Sequence, residues 1–327
     1  MSGPRVFVTG AGGYLGSQLV RALAAQQAAT DTATGGGPIE VVAADVRECA
    51  ADRRVPGVRY AVVDVRAPGL AAQLRDCDVV VHLASIVTPG QDSTREFEYS
   101  VDVLGTGNVL EACVLAGVRK IVVSSSGAAY GYHDDNPAWI TEDQPLRGND
   151  EFAYACHKRM VEEMLARYRV EHPELQQIVF RIGTILGEGT RNQITDLFEK
   201  PRLIAIRGSD SPFVFVWDQD VVGAMLHAIR ADRGGIYNLA GDGALTVREI
   251  AARMGKRCVV LPAWLLRAAL AVLRRLGLTQ YGPEQVRFLR YRPVLDNTRL
   301  KRDFGYLPRL SSAQAFELWM RARASRA

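Results

Sequence analysis

The sequence predicts an α/β fold in which a parallel sheet carries helices on both faces. Short β-branched runs alternate with helical patterns over residues 1–180, as consecutive β–α–β units require. A glycine-rich turn joins the first of these strands to the first helix. Beyond Gly187 the alternation becomes irregular and the apolar runs shorten, which predicts a second, smaller lobe. A chain of 327 residues is long enough to hold both parts.

The predicted elements divide the chain between these two parts. We expect strands at 5–9, 39–44, 60–63, 79–84, 120–124 and 177–181, with helices at 17–25, 103–116 and 154–169. The larger domain is predicted to span 1–185, and residues 213–240 to return to it. The smaller lobe then comprises 186–212 and 241–327.

The first strand leads directly into a turn with glycine at positions 10, 13 and 16. A helix that follows such a turn offers backbone N–H groups and the positive end of its dipole to a pyrophosphate. Glycine is needed where a β-carbon would block a positive-φ turn or the close approach of a dinucleotide. The order of strand, turn and helix therefore predicts a dinucleotide site.

Asp45 ends the second predicted strand and indicates which dinucleotide is bound. A carboxylate at this point accepts hydrogen bonds from both ribose hydroxyls of an adenosine and repels a 2′-phosphate, so NAD is favoured over NADP. The nearby Arg47 is the observation against this, and an exposed aspartate that merely ends a strand is the alternative interpretation. Asp45 lies further from the glycines than the usual spacing of about 20 residues. We attribute the difference to a flexible insertion at 26–38.

Composition and charge exclude several classes of function. Hydrophobic residues make up 48% and charged residues 23%, as in an ordinary globular enzyme. The net charge of +4 is small and dispersed, and no basic run carries interleaved aromatics, so we expect no nucleic-acid partner. Five cysteines stand apart, without the spacing of a zinc site or a disulfide framework, which predicts no bound metal.

We expect a cytoplasmic protein without stable membrane insertion. A core strand occupies the place that an apolar leader would take. The most apolar later stretch, 262–278, is shorter than a membrane span and contains Arg267, Arg274 and Arg275. We interpret it as a helix that packs on the core or forms a lid. Contact with a membrane or with an apolar substrate is the alternative.

Two groups of polar residues predict a hydride-transfer site. The serine run 124–126 follows an apolar strand, and ligands of open α/β sheets bind at the carboxyl ends of strands. Tyr154 and Lys158 open a helical segment, where i, i+4 spacing puts them on one face. An ammonium beside a phenol stabilises the phenolate and lowers a pKa of about 10 toward neutrality. Ser126 or Ser125 would then bond the substrate oxygen while Tyr154 exchanges its proton and a nicotinamide exchanges the hydride.

Taken together, these features resemble the extended short-chain dehydrogenase/reductase superfamily, of the NAD-dependent epimerase/dehydratase type, over nearly the whole chain. The residues that carry the resemblance are Gly10, Gly13, Gly16, Asp45, Asp64, 82–84, 105–110, 124–131, Tyr154, Lys158, 181–187, Asp220, 237–240, Asp296 and 305–308. The resemblance implies a Rossmann-type nucleotide domain with NAD as cofactor. It also implies that Ser126 is the hydroxyl of the catalytic set, Tyr154 the acid–base, and Lys158 its electrostatic and ribose-binding partner.

The same resemblance implies further contacts. The implied cofactor-binding residues are Gly10, Gly13, Tyr14, Leu15, Gly16, Asp45, Asp64, Val65, Leu83, Ala84, Ser85, Ser124, Tyr154 and Lys158. The implied substrate-binding residues are Ser125, Ser126, Thr184, Arg207 and Arg292, with the smaller lobe facing the substrate. A homodimer is also implied, through the helices 103–116 and 154–169 packed as a four-helix bundle.

Departures from the family pattern narrow the reaction. Gly127 and Ala128 stand where the 4,6-dehydratases of this type carry an Asp-Glu pair, so dehydration is disfavoured. Asp102 stands where asparagine is common, which puts one hydrogen bond on the cofactor side in question. Pro212 and Phe213 stand where nucleotide-sugar epimerases tend to carry an arginine for the pyrophosphate.

Several other polar residues have two interpretations. Arg207, Arg290 and Arg292 are candidates to replace the missing arginine, or they are surface charges. Thr184 takes the place of an asparagine that often contacts the ligand. His82 is isolated and has no partner acid, so we interpret it as a residue that packs near the cofactor.

The combined pattern favours an NAD-dependent sugar epimerase, of the nucleotide-sugar type, that acts on a secondary alcohol. Tyr154 would deprotonate a hydroxyl, and the hydride would pass to NAD and return to the opposite face of a keto intermediate. The alternative is an NAD-dependent reductase or dehydrogenase of a non-sugar, apolar alcohol or ketone, which Phe213, Trp264 and the apolar helix 265–278 favour. A third possibility is an NAD-binding protein without catalysis, which the intact catalytic set disfavours.

Overall fold

The structure is a computed structural model that describes residues 3–30, 39–90, 92–279 and 282–325. For residues 27–30 it describes the helix but not the side chains. The insertion predicted at 26–38 therefore lies mostly outside the described residues.

A seven-stranded sheet is the largest element of the fold, with strand order β10-β6-β5-β4-β1-β2-β3. The strands of the described residues are β1 Arg5–Thr9, β2 Glu40–Asp45, β3 Arg59–Val62, β4 Val79–His82, β5 Lys120–Ser126, β6 Gln176–Ile182, β7 Thr184–Leu186, β8 Arg202–Ile206, β9 Phe215–Trp217, β10 Gly235–Leu239 and β11 Arg257–Leu261. β1 pairs in parallel with β2 on one side and β4 on the other. The strand order therefore reverses at β1, where doubly wound sheets bind ligands. The predicted fold class is confirmed.

Helices connect the strands as the alternation in the sequence predicts. They are α1 Tyr14–Thr30, α2 Leu70–Gln73, α3 Arg95–Tyr99, α4 Gly105–Ala116, α5 Ala153–Glu171, α6 Gln193–Glu199, α7 Asp218–Arg230, α8 Val247–Arg253, α9 Ala263–Arg275, α10 Gln285–Arg290 and α11 Ser312–Ala324. A π-helical turn, Ser100–Leu104, precedes α4. The sequence predicts one helix from residue 103, but hydrophobic periodicity does not distinguish the wider turn from an α-helical one.

The chain forms two compact units. Unit 1 comprises Met1–Ser126, His157–Arg181 and Gln219–Tyr237, and unit 2 comprises Gly127–Cys156, Ile182–Asp218 and Asn238–Ala327. Residues 236–238, expected to return to the larger domain, lie in β10 of the seven-stranded sheet. Residues 214–216 overlap β9, which instead pairs with β7 in a separate two-stranded sheet.

Each unit has its own apolar core. In unit 1 the side chains of Val6, Phe7 and Val8 on β1 are fully buried, so β1 lies in the core of the sheet. In unit 2 Phe198 makes edge contacts with several aromatic rings, among them Phe213 at 5.2 Å between ring centroids. These two cores hold the polar residues described below in fixed positions.

Candidate functional site

The glycine turn between β1 and α1 is tight enough to exclude larger residues. Gly10 has φ of +66°, and a β-carbon there would lie 2.7 Å from the backbone nitrogen of Ala84. The N–H of Gly13 closes the turn on the carbonyl of Gly10 at 3.0 Å. α1 then begins at Tyr14, so the first N–H groups of the helix, which have no partner inside it, lie at the end of the turn. The cradle fits the pyrophosphate of a dinucleotide.

Asp45 lies at the end of β2 and bonds directly to that turn. Its Oδ2 accepts from the N–H of Gly12 at 2.9 Å, and its Oδ1 accepts from the N–H of Arg47 at 3.1 Å. A carboxylate offers about four acceptor positions, so lone pairs remain for ribose hydroxyls. Arg47 thus contacts the carboxylate through its backbone, and its side chain is exposed. The sequence did not single out Gly12, whose missing side chain leaves room for Asp45.

The segment after β3 is anchored by two polar contacts. Arg66 binds Asp64 through Nη2 at 2.7 Å, and this guanidinium holds the pKa of the Asp64 carboxyl below its usual range. The side chain of Val65 is buried, and its carbonyl accepts from the Asn108 amide on α4 at 2.7 Å. Asp64 and Val65, both predicted to contact the cofactor, are therefore held in a defined loop.

A buried histidine fixes the loop after β4. Thr106 donates its hydroxyl to the carbonyl of Asp102, so it can only accept from His82, whose Nε2 lies 3.0 Å away. The other ring nitrogen, Nδ1, then accepts from the hydroxyl of Thr9 at 2.8 Å. Burial lowers the pKa of His82 to about 3, so the ring is neutral. This arrangement agrees with the interpretation of His82 as a packing residue.

The same network orients the residues predicted to touch the cofactor. Thr9 accepts from the N–H groups of Leu83 at 3.2 Å and Ala84 at 3.3 Å. The hydroxyl of Ser85, next in the chain, is buried and has no hydrogen-bond partner among the described residues. A buried hydroxyl without a protein partner fits a position that a bound cofactor would satisfy.

The serine run lies inside β5, which extends to Ser126, and does not follow it. Alternate residues of a strand point to opposite faces, so Ser125 faces away from Ser124 and Ser126. Ser125 is 3% exposed and donates to Glu162, which Arg181 also binds at 2.7 Å. The hydroxyl of Ser125 therefore belongs to this buried ion pair, and its contact with substrate stays a prediction.

Lys158 is held at the carboxyl end of β5. It lies on α5, one helical turn after Tyr154, and both are where the sequence predicts them. Its side chain is buried, and Nζ donates to the carbonyl of Ser124 at 3.0 Å. This bond fixes the ammonium on the side of α5 that also carries Tyr154. The ammonium can therefore stabilise a phenolate one turn away.

A buried carboxylate and imidazole lie behind this part of α5. Asp102 is 2% exposed, and His157 is 1% exposed. Their facing atoms, Oδ2 and Nδ1, are 3.6 Å apart. The other oxygen of Asp102 accepts from the N–H of Ile86 at 2.9 Å, just after the predicted cofactor loop. Asp102 stands where asparagine is common in the family pattern, and its carboxylate faces the ring of His157.

Arg292 is a buried cation in unit 2. It is 9% exposed, Nη2 donates to the carbonyl of Ser211, and the guanidinium lies 3.7 Å from the ring centroid of Phe213. Nε and Nη1 have no hydrogen-bond partner among the described residues. Burial lowers the pKa of Arg292 to about 9, with Tyr132 opposing that shift. A buried cation with unused N–H groups is a candidate anion site.

Tyr132 belongs to the neighbourhood of Arg292 and Tyr154, and the sequence analysis passed over it. Burial raises the pKa of the Tyr132 hydroxyl, a charge on Tyr154 would raise it further, and Arg292 lowers it. Its ring packs edge-on against Phe152 and Phe288, at 5.1 and 5.2 Å between centroids. The one signal in the sequence was its place directly after the tyrosine–glycine pair at 130–131.

The other two predicted substrate residues lie elsewhere in unit 2. Thr184 opens β7, is half-buried, and its N–H donates to the carbonyl of Val214 at 3.1 Å. Arg207 follows β8 and is exposed. Arg290 is half-buried, and its Nε is also buried without a partner among the described residues. Of the three candidate arginines, Arg292 is the one that is buried as a whole and leaves two nitrogens without partners there.

The fold and these residues define a class, the dinucleotide-binding enzymes with a doubly wound sheet. Residues 6–240 match the model of the "NAD dependent epimerase/dehydratase family". This chain belongs to that family, and it is an NAD-dependent enzyme of the extended short-chain dehydrogenase/reductase type.

Two relatives are similar to this chain over different fractions of its length. The chain is 26% identical to the uncharacterized protein Rv0501 of Mycobacterium tuberculosis over 323 residues, which are 97% of this chain and 84% of that one. It is 31% identical to UDP-glucose 4-epimerase of Azospirillum brasilense over 185 residues, 56% of this chain and 50% of that enzyme. The similarity to this UDP-glucose 4-epimerase thus covers about half of either chain.

Solved structures share the fold over the full length. The UDP-glucose 4-epimerase of Thermus thermophilus in complex with NAD has a TM-score of 0.70 at 24% identity, with 99% of this chain and 100% of that one covered. MoeE5 in complex with UDP-glucuronic acid and NAD has a TM-score of 0.71 at 23% identity and the same coverage. Similarity at this level shows the fold.

Two features, a membrane-spanning helix and a metal-binding cluster, are absent from the described ranges. None of their helices has the length and apolar character needed to cross a membrane. No cluster of three or more His, Cys, Asp or Glu side chains in these ranges could hold a metal ion.

Proposed function

We propose that this enzyme is an epimerase of a nucleotide sugar and acts by transient oxidation of a secondary alcohol. The observation that carries the proposal is Arg292, a buried guanidinium with two N–H-bearing nitrogens unpaired among the described residues. Phosphate oxygens are the ligands that such a group binds most strongly. An apolar ketone would leave this charge buried and unpaired, at a considerable cost in free energy.

The cofactor residues have separate tasks in this proposal. The turn at Gly10, Gly13 and Gly16, with the N–H groups of Tyr14 and Leu15, binds the pyrophosphate of NAD. Asp45 accepts from the ribose hydroxyls, and Asp64 and Val65 border the adenine. The residues that border the nicotinamide half are Leu83, Ala84, Ser85, Ser124 and Lys158. When bound, NAD supplies a reversible hydride acceptor.

The catalytic residues hold and move one proton. Tyr154 takes the proton of the sugar hydroxyl and later gives it back, as general base and then general acid. Lys158, fixed on the carbonyl of Ser124, favours the phenolate that this step requires. Ser126 donates a hydrogen bond to the substrate oxygen as charge develops on it.

The substrate is proposed to lie against the smaller lobe, 186–212 and 241–327. Arg292 binds the diphosphate there, and Thr184 and Arg207 are further contacts. Tyr132 joins this set, since its hydroxyl interacts with the charges of both Arg292 and Tyr154.

We also propose a homodimer formed through α4 and α5. Leu115 on α4 is 72% exposed and Val170 on α5 is 81% exposed. Large apolar side chains on the outer surface of helices suit a helix-to-helix contact between two copies.

A spectroscopic assay tests the proposed reaction. Purified enzyme is mixed with NAD and UDP-sugars, and the sugar composition and the absorbance of reduced nicotinamide are followed together. We expect interconversion of two UDP-sugars with no net change in absorbance. Stoichiometric consumption of NADH with a carbonyl substrate would show a reductase instead.

A further inference from the structure

Helix α9 and the residues after it present an apolar surface to solvent. Trp264 is 70% exposed, Leu276 is 64% exposed and Leu278 is 70% exposed. Leu266 is the buried residue of the helix, and it packs with Ile206 and Val286. Ala263 and Leu270 are partly buried against the same cluster, so one side of the helix packs on the core and the opposite side carries exposed apolar residues. The interpretation of 262–278 as a helix that packs on the core or forms a lid therefore accounts for one side of α9, and the exposed side needs a separate explanation.

The exposed apolar residues form one stripe. In an α-helix, positions four apart lie above one another, so Trp264, Ala268, Val272 and Leu276 form a row. Leu265 and Leu273 form the neighbouring row, and both are exposed. A contiguous apolar stripe on the surface of a protein marks a place of interaction.

Most of the charged residues near this stripe are arginines. The segment from Pro262 to Gly282 contains three arginines and no acidic residue. From Pro262 to Arg292 there are six arginines and one glutamate, although the whole chain has a net charge of only +4. The one glutamate, Glu284, lies 3.4 Å from Arg274. Arg292 is buried and Arg287 binds Glu151 at 2.9 Å, so the basic residues of this surface are Arg267, Arg274 and Arg275 on α9 itself.

This combination fits an anionic lipid surface. Arginines bordering an apolar stripe, with tryptophan on the stripe, are the composition of helices that lie in the plane of a membrane interface. Arginine side chains are long enough to reach headgroups while the apolar residues enter the acyl boundary. A second copy of the chain would bring the same arginines together, and like charges in an interface are costly.

We propose that α9 docks this enzyme on membranes that contain anionic lipid, with Trp264, Val272 and Leu276 at the acyl boundary. Arg267 and Arg275 lie in one row on the side of the exposed row opposite Leu265 and Leu273, and they contact the headgroups. The enzyme would then meet its substrate at a membrane surface without spanning the bilayer.

Co-sedimentation of the full chain with lipid vesicles tests this proposal. We expect binding to vesicles of phosphatidylglycerol and phosphatidylcholine, weaker binding at a salt concentration of roughly 0.5 M because the charges are screened, and none to phosphatidylcholine alone. The double variant Val272→Glu/Leu276→Glu should lose binding. Arg267→Gln/Arg275→Gln should weaken it roughly fivefold for each arginine. Leu307→Glu, at a 68% exposed leucine outside the helix, is the matched control and should bind as the wild type does.

The proposal is overturned by any of three results. These are absence of binding to anionic vesicles, equal binding to neutral vesicles, and no effect of the glutamate pair relative to Leu307→Glu. Light scattering is measured on every variant without lipid. A wild-type dimer that becomes a monomer only in Val272→Glu/Leu276→Glu, with no vesicle binding by the wild type, would show that a second copy covers the stripe. Thermal unfolding of each variant establishes that it is folded.

Discussion

The polar groups of the cofactor residues in unit 1 and of Arg292 in unit 2 differ in how far hydrogen bonds within the protein satisfy them. In unit 1 the protein itself binds most of them: Asp45 bonds the glycine turn, and His82 bonds two threonines. In unit 2 Arg292 has two nitrogens without partners among the described residues. A preformed site suits a ligand that is always the same, whereas an unsatisfied buried charge requires the ligand to complete it. The predictions below test this contrast.

Tyr154→Phe should have the largest effect, because it removes the group that takes the proton. We expect a loss of roughly 10²–10⁴-fold in kcat, as for other general acid–base groups, with little change in NAD affinity. Turnover of the UDP-sugar and binding of NAD by calorimetry measure the two quantities separately. Tyr168→Phe, on the same helix, is the matched control and should keep most of the activity. Near-normal turnover by Tyr154→Phe would overturn the mechanism.

Arg292→Met should separate stability from substrate binding. Loss of the charge-assisted bonds to phosphate should weaken binding of UDP roughly ten- to a hundredfold. The free energy of unfolding should stay the same or rise, since a buried charge with unused N–H groups is replaced by an apolar side chain. Calorimetry with UDP and urea unfolding check the two effects. Unchanged UDP binding, or a large loss of stability, would show that Arg292 has a structural role.

Gly10→Ala should weaken NAD binding, because the added β-carbon does not fit the glycine turn. The left-handed backbone costs an alanine roughly 1–2 kcal/mol, and the new β-carbon would in addition meet the backbone of Ala84. Gly117→Ala is a matched control, since Gly117 has φ of +70° and open space around it. We expect NAD affinity to fall at least tenfold for the first variant only, as measured by calorimetry. Equal stability and equal NAD affinity of the two variants would contradict the role of the turn.

His82 should make a smaller contribution that depends on pH. Burial lowers its pKa to about 3, against an ordinary value near 6.5 when the chain unfolds. Between these values the unfolded chain binds more protons than the folded one, so the free energy of unfolding falls as the pH falls. The loss is up to about 1.4 kcal/mol for each pH unit.

Urea unfolding at several pH values from 7 to 4 measures this contribution. His82→Asn should reduce the slope in that window, at some cost in stability at pH 7. A slope that is the same in wild type and His82→Asn would mean that other groups determine the acid sensitivity.

The part of the site that could be predicted from the sequence depends on residues close together in the chain. The glycine turn joins one strand to one helix, and Tyr154 and Lys158 are one helical turn apart, so their geometry follows from local periodicity. Asp45 followed from its place at a strand end.

Other features depend on where elements end and on distant contacts. The bond from Ser125 to Glu162 could not be foreseen, because β5 continues through the serine run and alternation turns this side chain away from Ser124 and Ser126. The contact between Arg292 and Ser211 joins residues 81 apart, and no local pattern predicts it. The proposed contact of Tyr132 with substrate is argued from its position near Arg292 and Tyr154, which are distant from it in the sequence. The apolar face of α9 has a helical period whether it is buried or exposed, so periodicity alone could not show that it faces solvent.

Transfer of an isotope label tests the proposed return of the hydride most directly. UDP-sugars carrying deuterium at the carbon that is oxidised, C4 for a 4-epimerase, are converted by the enzyme with unlabelled NAD in excess. An epimerase that returns the same hydride to its own substrate should give product that retains the deuterium, with no label in the free NADH pool. Deuterium that accumulates in released NADH, with a ketone as the product, would contradict epimerisation and establish a net dehydrogenase.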